Sequence, residues 1–190
     1  MTVEPGYAVL ETEAGFAAIG WSAKGISAFR LPADTALAAE RALFRRLPGV
    51  KAGPPPISVR AVIDGALRYF AGERVDFASA PVDLGEQPVF FSRVYAAVRQ
   101  LGWGETATYG AIARRLDAGP EFARDVGQAM AANPVPLIIP CHRVTAANGG
   151  IGGFSAPGGA SSKANMLRIE GVEVRDGVVT RDVPQLGLGL

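Results

Sequence analysis

Apolar and polar positions in the first third of the chain fall into short β-leaning runs. Tyr7-Ala-Val-Leu10, Phe16-Ala-Ala-Ile-Gly-Trp21 and Gly25-Ile-Ser-Ala-Phe29 are separated by glycine-containing turns, which predicts a meander. Residues 34–46 are rich in Ala, Leu and Arg and predict a helix. Residues 49–56 hold three consecutive prolines and read as a loop or extended connector. Ser58 is then placed to cap a second helix, in which Val59, Ile63, Leu67 and Phe70 recur at helical spacing. Residues 74–82 predict a last strand of this region.

After Leu84-Gly-Glu-Gln-Pro88 the period becomes helical. Val94, Val98 and Leu101 form an apolar stripe that stops at Gly102-Trp-Gly104, and residues 108–116 predict a second, short helix. Asp117-Ala-Gly-Pro120 is a turn, with Pro120 suited to open the next helix, where Phe122, Val126 and Met130 share one face. Two helices joined this way are a helix-turn-helix candidate; two packed core helices would give the same pattern. The run Val135-Pro-Leu-Ile-Ile-Pro140 predicts an extended buried segment leading into Cys141-His-Arg-Val144. A glycine-rich stretch follows, then a last helix capped by Ser161 or Ser162 and carrying Lys163, Met166, Leu167 and Glu170. The expected organisation is a mixed α/β (α+β) chain: an N-terminal α/β domain over 1–86, a mostly helical domain over 87–175, and a frayed tail over 176–190.

Composition narrows the class. Of 190 residues 48% are apolar and 19% charged, enough for a buried core and wrong for a disordered chain. No apolar run approaches the roughly 20 residues a membrane span needs, and the start of the sequence does not read as a secretory leader. With one cysteine and one histidine, neither an intramolecular disulfide nor a Cys/His zinc site fits a single chain, and the expected setting is the reducing cytoplasm. Net charge is +1, with nine Lys/Arg against ten Asp/Glu up to residue 86 and ten against eight beyond it. That bias is far weaker than the basic stripe of a strong nucleic-acid binder.

The sole cysteine and sole histidine are neighbours, in Pro140-Cys-His-Arg143. A lone cysteine usually serves as a small buried hydrophobe. Reactivity requires the thiolate, hence a nearby base or positive charge, and His142 and Arg143 offer one of each. On an extended strand adjacent side chains face opposite ways, so contact with His142 needs a turn at Pro140 or a bridging water.

Further segments extend the pattern: Gly104-Glu-Thr-Ala-Thr-Tyr-Gly110, Ala123-Arg-Asp-Val-Gly-Gln-Ala129, Asn133-Pro134, Ile138-Ile-Pro-Cys-His-Arg-Val144, Gly152-Gly-Phe-Ser155, Lys163 and Glu170-Gly171. In order and spacing, the region from about Phe91 to Val172 resembles the catalytic domain of the O6-alkylguanine-DNA alkyltransferases, also called methylated-DNA–protein-cysteine methyltransferases. The resemblance implies an RNase H-like first domain and a winged-helix-like second one. It implies direct-reversal DNA repair, in which an alkyl group passes irreversibly from guanine O6 (or thymine O4) to Cys141, once per molecule. His142 would take the thiol proton through a water, and Glu170 would orient the imidazole. Tyr109 would hydrogen-bond the flipped base, and Asn133 would tie the turn before the active-site segment. Arg124 would enter the base stack from the minor groove of double-stranded DNA. Ser155, Arg143 and Lys163 would contact substrate or DNA. No metal and no organic cofactor are implied, and the protein would act as a monomer. Asp125 and Phe154 depart from the more frequent residues of the family, a small apolar side chain and a tyrosine. Two other readings fit the tetrapeptide: a non-catalytic winged-helix DNA- or lesion-binding protein with an inert cysteine, and a cysteine hydrolase using Cys141 and His142.

Overall fold

The computed structural model describes residues 3–154 and 157–180. They cluster into two compact units, one formed by Met1–Glu86 with Pro134–Ile138 and the other by Gln87–Asn133 with Ile139–Leu190.

In the first unit, β1 (Gly6–Thr12), β2 (Gly15–Ser22) and β3 (Gly25–Ala33) form an antiparallel sheet in sequential order. Residues 17–21 of central β2 are all buried, because both faces of that strand are covered. Helix α1 (Ala36–Phe44) packs Ala39 and Leu43 with Tyr7, Ala18 and Ala28. It starts where Thr35 accepts the Ala38 N–H on its side chain. Helix α2 (Ile57–Phe70) begins one residue before Ser58, with Pro56 at its cap position and no capping side chain, so the expected Ser58 cap is not made. Its buried face is Val59, Val62, Ala66 and Tyr69. Val59 and Phe70 of the predicted stripe are buried, but Leu67 is exposed and Ile63 only half-buried, so between them the true face runs through Val62, Ala66 and Tyr69. The strand expected over 74–82 shrinks to a single bridge between Val82 and Ile26. The Ile26 N–H donates to Pro81 O at 2.9 Å and its carbonyl accepts the Asp83 N–H at 2.8 Å. From the later chain, the Pro134 carbonyl accepts the Phe29 N–H at 3.0 Å.

The second unit opens with α3 (Val89–Val98), whose Val94, Tyr95, Ala97 and Val98 are buried. A two-residue strand, β4 (Ala107–Thr108), leads directly into α4 (Tyr109–Arg115), where Thr108 accepts the Ala111 N–H at 3.1 Å. Pro120 opens a 3-10 turn over Pro120–Phe122, and α5 (Ala123–Ala131) follows, completing a helix-turn-helix with α4. Phe122 stands in the turn and is exposed, so the buried face of α5 is Val126, Ala129 and Met130. Tyr95 holds α5 by donating its hydroxyl to Ala129 O at 3.0 Å.

The segment before Cys141 is buried but not extended: it turns, with Leu137 at a φ of 77°. Residues Cys141–Arg143 form a 3-10 turn running into β5 (Val144–Thr145). Helix α6 (Ala160–Ile169) follows Gly159 with no capping side chain; Ser162 donates instead to Pro157 O, so neither serine caps it. The supposed tail supplies a strand, since β6 (Val174–Arg175) pairs antiparallel with β7 (Val178–Val179). Residues 181–190 lie outside the described residues.

Candidate active site

A short parallel ladder sets up the site. Ala107 pairs with Val144 and Thr108 with Thr145, which brings the first residue of α4, Tyr109, beside the Cys141–Arg143 turn. That turn replaces the alternation of a strand, so Cys141, His142 and Arg143 are all buried. Asn133 fastens the approach, with its Nδ2 donating to Ile139 O at 2.9 Å and its side chain also hydrogen-bonded to Cys141.

Glu170, the residue that ends α6, organises the charges. Its Oε1 lies 2.6 Å from His142 Nε2 and accepts from Arg143 Nη2 at 2.9 Å. Its Oε2 accepts from Arg143 Nε at 2.8 Å and from the Gly104 N–H at 3.0 Å. Gly104 has a φ of 73°, and a Cβ there would meet Glu170 O at 3.0 Å, so the turn needs glycine. The remaining arm of Arg143, Nη1, donates to Leu101 O. Arg143 is therefore an internal clamp on Glu170, not the substrate or DNA contact expected from sequence. Its guanidinium is already consumed in a fork on a carboxylate and by a carbonyl.

Burial by itself would raise the Glu170 carboxyl, but His142 and Arg143 outweigh it and hold the group at about 2. For His142 burial dominates over the attraction of Glu170 and pushes its pKa down, so the imidazole is neutral at pH 7 and able to accept a proton. Burial also pushes the Cys141 thiol up, against the Asn133 hydrogen bond, the charge of Lys163 and backbone N–H groups of the turn. At pH 7 the resting sulfur is therefore a thiol, which must give up its proton before it can attack. Lys163 is itself depressed to about 8 by burial, partly offset by Cys141. Its Nζ donates to Val144 O at 2.6 Å and sits 5.8 Å from the ring centroids of both Tyr109 and Phe154.

Cys141 opens into a cavity of about 440 Å³ lined by Tyr109, Gly127, Met130, Ala131, Gly153, Phe154 and Lys163. That volume lies within the roughly 300–1,000 Å³ of small-molecule sites. A cavity of about 550 Å³ in the first unit has Trp21, Ser22, Arg46 and Asp83 on its wall but no cysteine or histidine, so the nucleophile singles out the smaller one. Of the residues expected at the site, Cys141, His142, Glu170, Tyr109, Asn133 and Lys163 converge here. Arg124 is exposed in the first turn of α5, away from these hydrogen bonds. Ser155 lies outside the described residues. Leu101 and Met130 read from the pattern only as apolar helix positions, and Gly127 only as part of the Ala123–Ala129 segment; their places at the site, a carbonyl that accepts from Arg143 and two positions on the cavity wall, come from the fold.

The segment carrying this geometry matches a known family. Residues 89–172 match the 6-O-methylguanine DNA methyltransferase, DNA binding domain family. A methylated-DNA–protein-cysteine methyltransferase of Metallosphaera sedula is 45% identical over 103 residues, 54% of this chain and 62% of that protein. The match thus spans less than two thirds of that relative. A DNA base-flipping protein of Thermus thermophilus is 39% identical over 132 residues, 70% of this chain and 84% of the relative. The crystal structure of Mycobacterium tuberculosis O6-methylguanine methyltransferase superposes with a TM-score of 0.70 at 29% identity, covering 88% of this chain and 93% of that one. The mixed α/β fold is therefore similar to that of known alkyltransferases. With the family match centred on the segment that gathers Cys141, His142 and Glu170, the chain belongs to the O6-methylguanine-DNA methyltransferase family.

Proposed function

We propose that this protein reverses alkylation of DNA by moving a methyl or other small alkyl group from guanine O6 (and thymine O4) to the sulfur of Cys141. The observation that carries the reading is that the only cysteine lines a base-sized cavity beside a buried His142–Glu170–Arg143 array. His142, neutral and held through Nε2 by Glu170, receives the thiol proton at its other ring nitrogen, directly or through a water. The thiolate attacks the alkyl carbon, the S–C bond forms as the C–O6 bond breaks, and the electron pair leaves with guanine. Tyr109, on the cavity wall, hydrogen-bonds the departing base. The product is a thioether, which nothing in the site reverses, so each molecule acts once. The sulfur supplies the electron pair and the alkyl group needs no carrier, so the reaction calls for neither metal nor organic cofactor.

An alkylated base must leave the duplex to reach Cys141. The helix-turn-helix of α4 and α5 is the proposed DNA-binding element, docking in the minor groove with exposed Arg124 filling the vacated stack. In finer terms, the first unit is read as RNase H-like and the second as winged-helix-like, over 1–86 and 87–175. The protein is read as a cytoplasmic monomer.

The test is intact mass after incubation with a duplex carrying O6-methylguanine. A gain of one methyl in the wild type and none in Cys141→Ala is expected; unmodified wild-type protein overturns the reading. A non-catalytic base-flipping function draws on the Thermus relative's name, and it predicts lesion-duplex binding without any adduct.

A further inference from the structure

Helix α5 forms one wall of the Cys141 cavity and turns another face to solvent. Gly127, Met130 and Ala131 line the cavity, while Val126, Ala129 and Met130 are buried. Three of the nine residues of α5 carry polar side chains: Arg124, Asp125 and Gln128. Arg124 and Asp125 stand in its first turn, and Asp125 is half-buried. Gln128 stands one turn further along and is exposed. At 3.6 residues per turn, positions three and four apart share a helix face. Gln128 comes four residues after Arg124 and three before Ala131, and Ala131 is at once exposed and part of the cavity wall. Gln128 therefore borders the exposed rim of the cavity, on the face that also carries Arg124. Its neighbours on that rim, Gly127 and Ala131, are small, so the Gln128 amide is the polar group that reaches out from α5 beside the cavity. Glutamine is an adequate helix-former anywhere on a solvated face; its place next to the cavity rim is what gives this one a consequence.

We propose that Gln128 reads the base pair beside the lesion, its Oε1 accepting a hydrogen bond from the N2 amino group of a guanine in the minor groove. The inference rests on the reading of α4 and α5 as the DNA-binding element. A neutral amide displaces no counterions from phosphate, so it adds little to non-specific affinity. What it offers is one acceptor oxygen and two donors. In the minor groove the N2 amino group is the feature that separates G·C from A·T pairs. Once the damaged guanine has left the stack its own N2 group goes with it, so the amino group that meets Gln128 belongs to a neighbouring pair. Gln128 thereby makes repair depend on sequence context. The test is the rate of methyl transfer to the full chain, read by intact mass, from duplexes that differ in one pair next to O6-methylguanine. That pair is G·C or I·C, placed in turn on each side; hypoxanthine differs from guanine only in lacking the N2 amino group. An I·C pair is weaker and eases base extrusion for any protein, so the readout is the G·C to I·C rate ratio compared between wild type and Gln128→Leu. On one side of the lesion the ratio is expected to be about threefold or more higher in the wild type, the yield of a single net hydrogen bond. Each ratio is taken within one protein, so a change in stability or overall rate does not move it. Equal ratios in the two proteins on both sides overturn the inference, while the adducts formed leave the proposed function standing. No adduct from any of the duplexes overturns the proposed function and this inference together.

Discussion

At the scale of single residues, Glu170 carries more of the site than its position in the sequence suggests. It looks like an ordinary carboxylate at a helix C-terminus, a slightly unfavourable place against the dipole. In the fold it accepts four hydrogen bonds, from His142, twice from Arg143 and from Gly104. Glu170→Gln leaves Arg143 buried without its countercharge, a change expected to cost about 3–5 kcal/mol by denaturant unfolding. Transfer to Cys141 should slow along with it. The pH dependence has a definite sign. Glu170 titrates at about 2 in the fold against 4.5 ordinarily. The unfolded chain therefore binds its proton first, and stability present above pH 4.5 is lost as pH falls towards 2. His142, kept neutral by burial, adds a loss in the same direction from about pH 6.5 downward. Unfolding curves across this range check both. Lys163 acts on the sulfur through charge, so Lys163→Met should shift the pH midpoint of Cys141 alkylation upward. Lys163→Arg should largely restore it.

At the scale of elements, two short pieces decide the geometry: the β4–β5 ladder and the first turn of α5. The Thr108 hydroxyl caps α4 at the residue before Tyr109. Thr108→Ala should cost about 1 kcal/mol and loosen Tyr109. Arg124 belongs to an exposed face, and its substitution should leave Cys141 untouched. Arg124→Ala is expected to reduce repair of duplex DNA more than reaction with a free benzylguanine base; equal losses would remove its role in the stack. Asp125 sits in the same first turn, where the helix dipole stabilises it even though a carboxylate near phosphates opposes binding. The β6–β7 pair shows how a short element supports the cavity. Val178 bridges Gly150, and the Ile151 N–H donates to Gly177 O at 2.9 Å, just before the Gly153–Phe154 wall. Truncation after Asp176 should therefore lower both stability and the rate of adduct formation.

Across the whole molecule, function follows from a division of labour by charge and burial. A net charge of +1 supplies little long-range attraction to DNA. Under the proposed function, binding would depend on a few local cations, and its salt dependence should be shallow, with a slope set by that small number of phosphate contacts. Titration of affinity against salt measures it. The chemical centre, by contrast, is almost fully withdrawn from water: His142, Lys163 and Glu170 are 0, 1 and 4% exposed. There Glu170 is held by His142 and Arg143, and Lys163 is held by the Val144 carbonyl, which fixes the position of each.

What was legible in the sequence is what short range fixes. The three strands, α1 and the start of α4 are announced by runs of β-formers and helix-formers, because those signals act within a few residues. The ordered series around Cys141, His142, Tyr109, Asn133 and Glu170 was likewise enough to identify the family and its candidate residues. Three things were not legible. The buried face of α2 depends on what packs against it, so Ile63 and Leu67 matched the period and still fell to one side. The path before Cys141 is a turn with Leu137 at positive φ, where an apolar run between prolines suggested extended chain. Arg143 looked free to meet a ligand, whereas Glu170, 27 residues later, occupies it. Pairings at that separation, and the pKa values they create, exist only once the chain has closed on itself. Local propensity chose the elements; burial and long-range charge pairing decided what their side chains do.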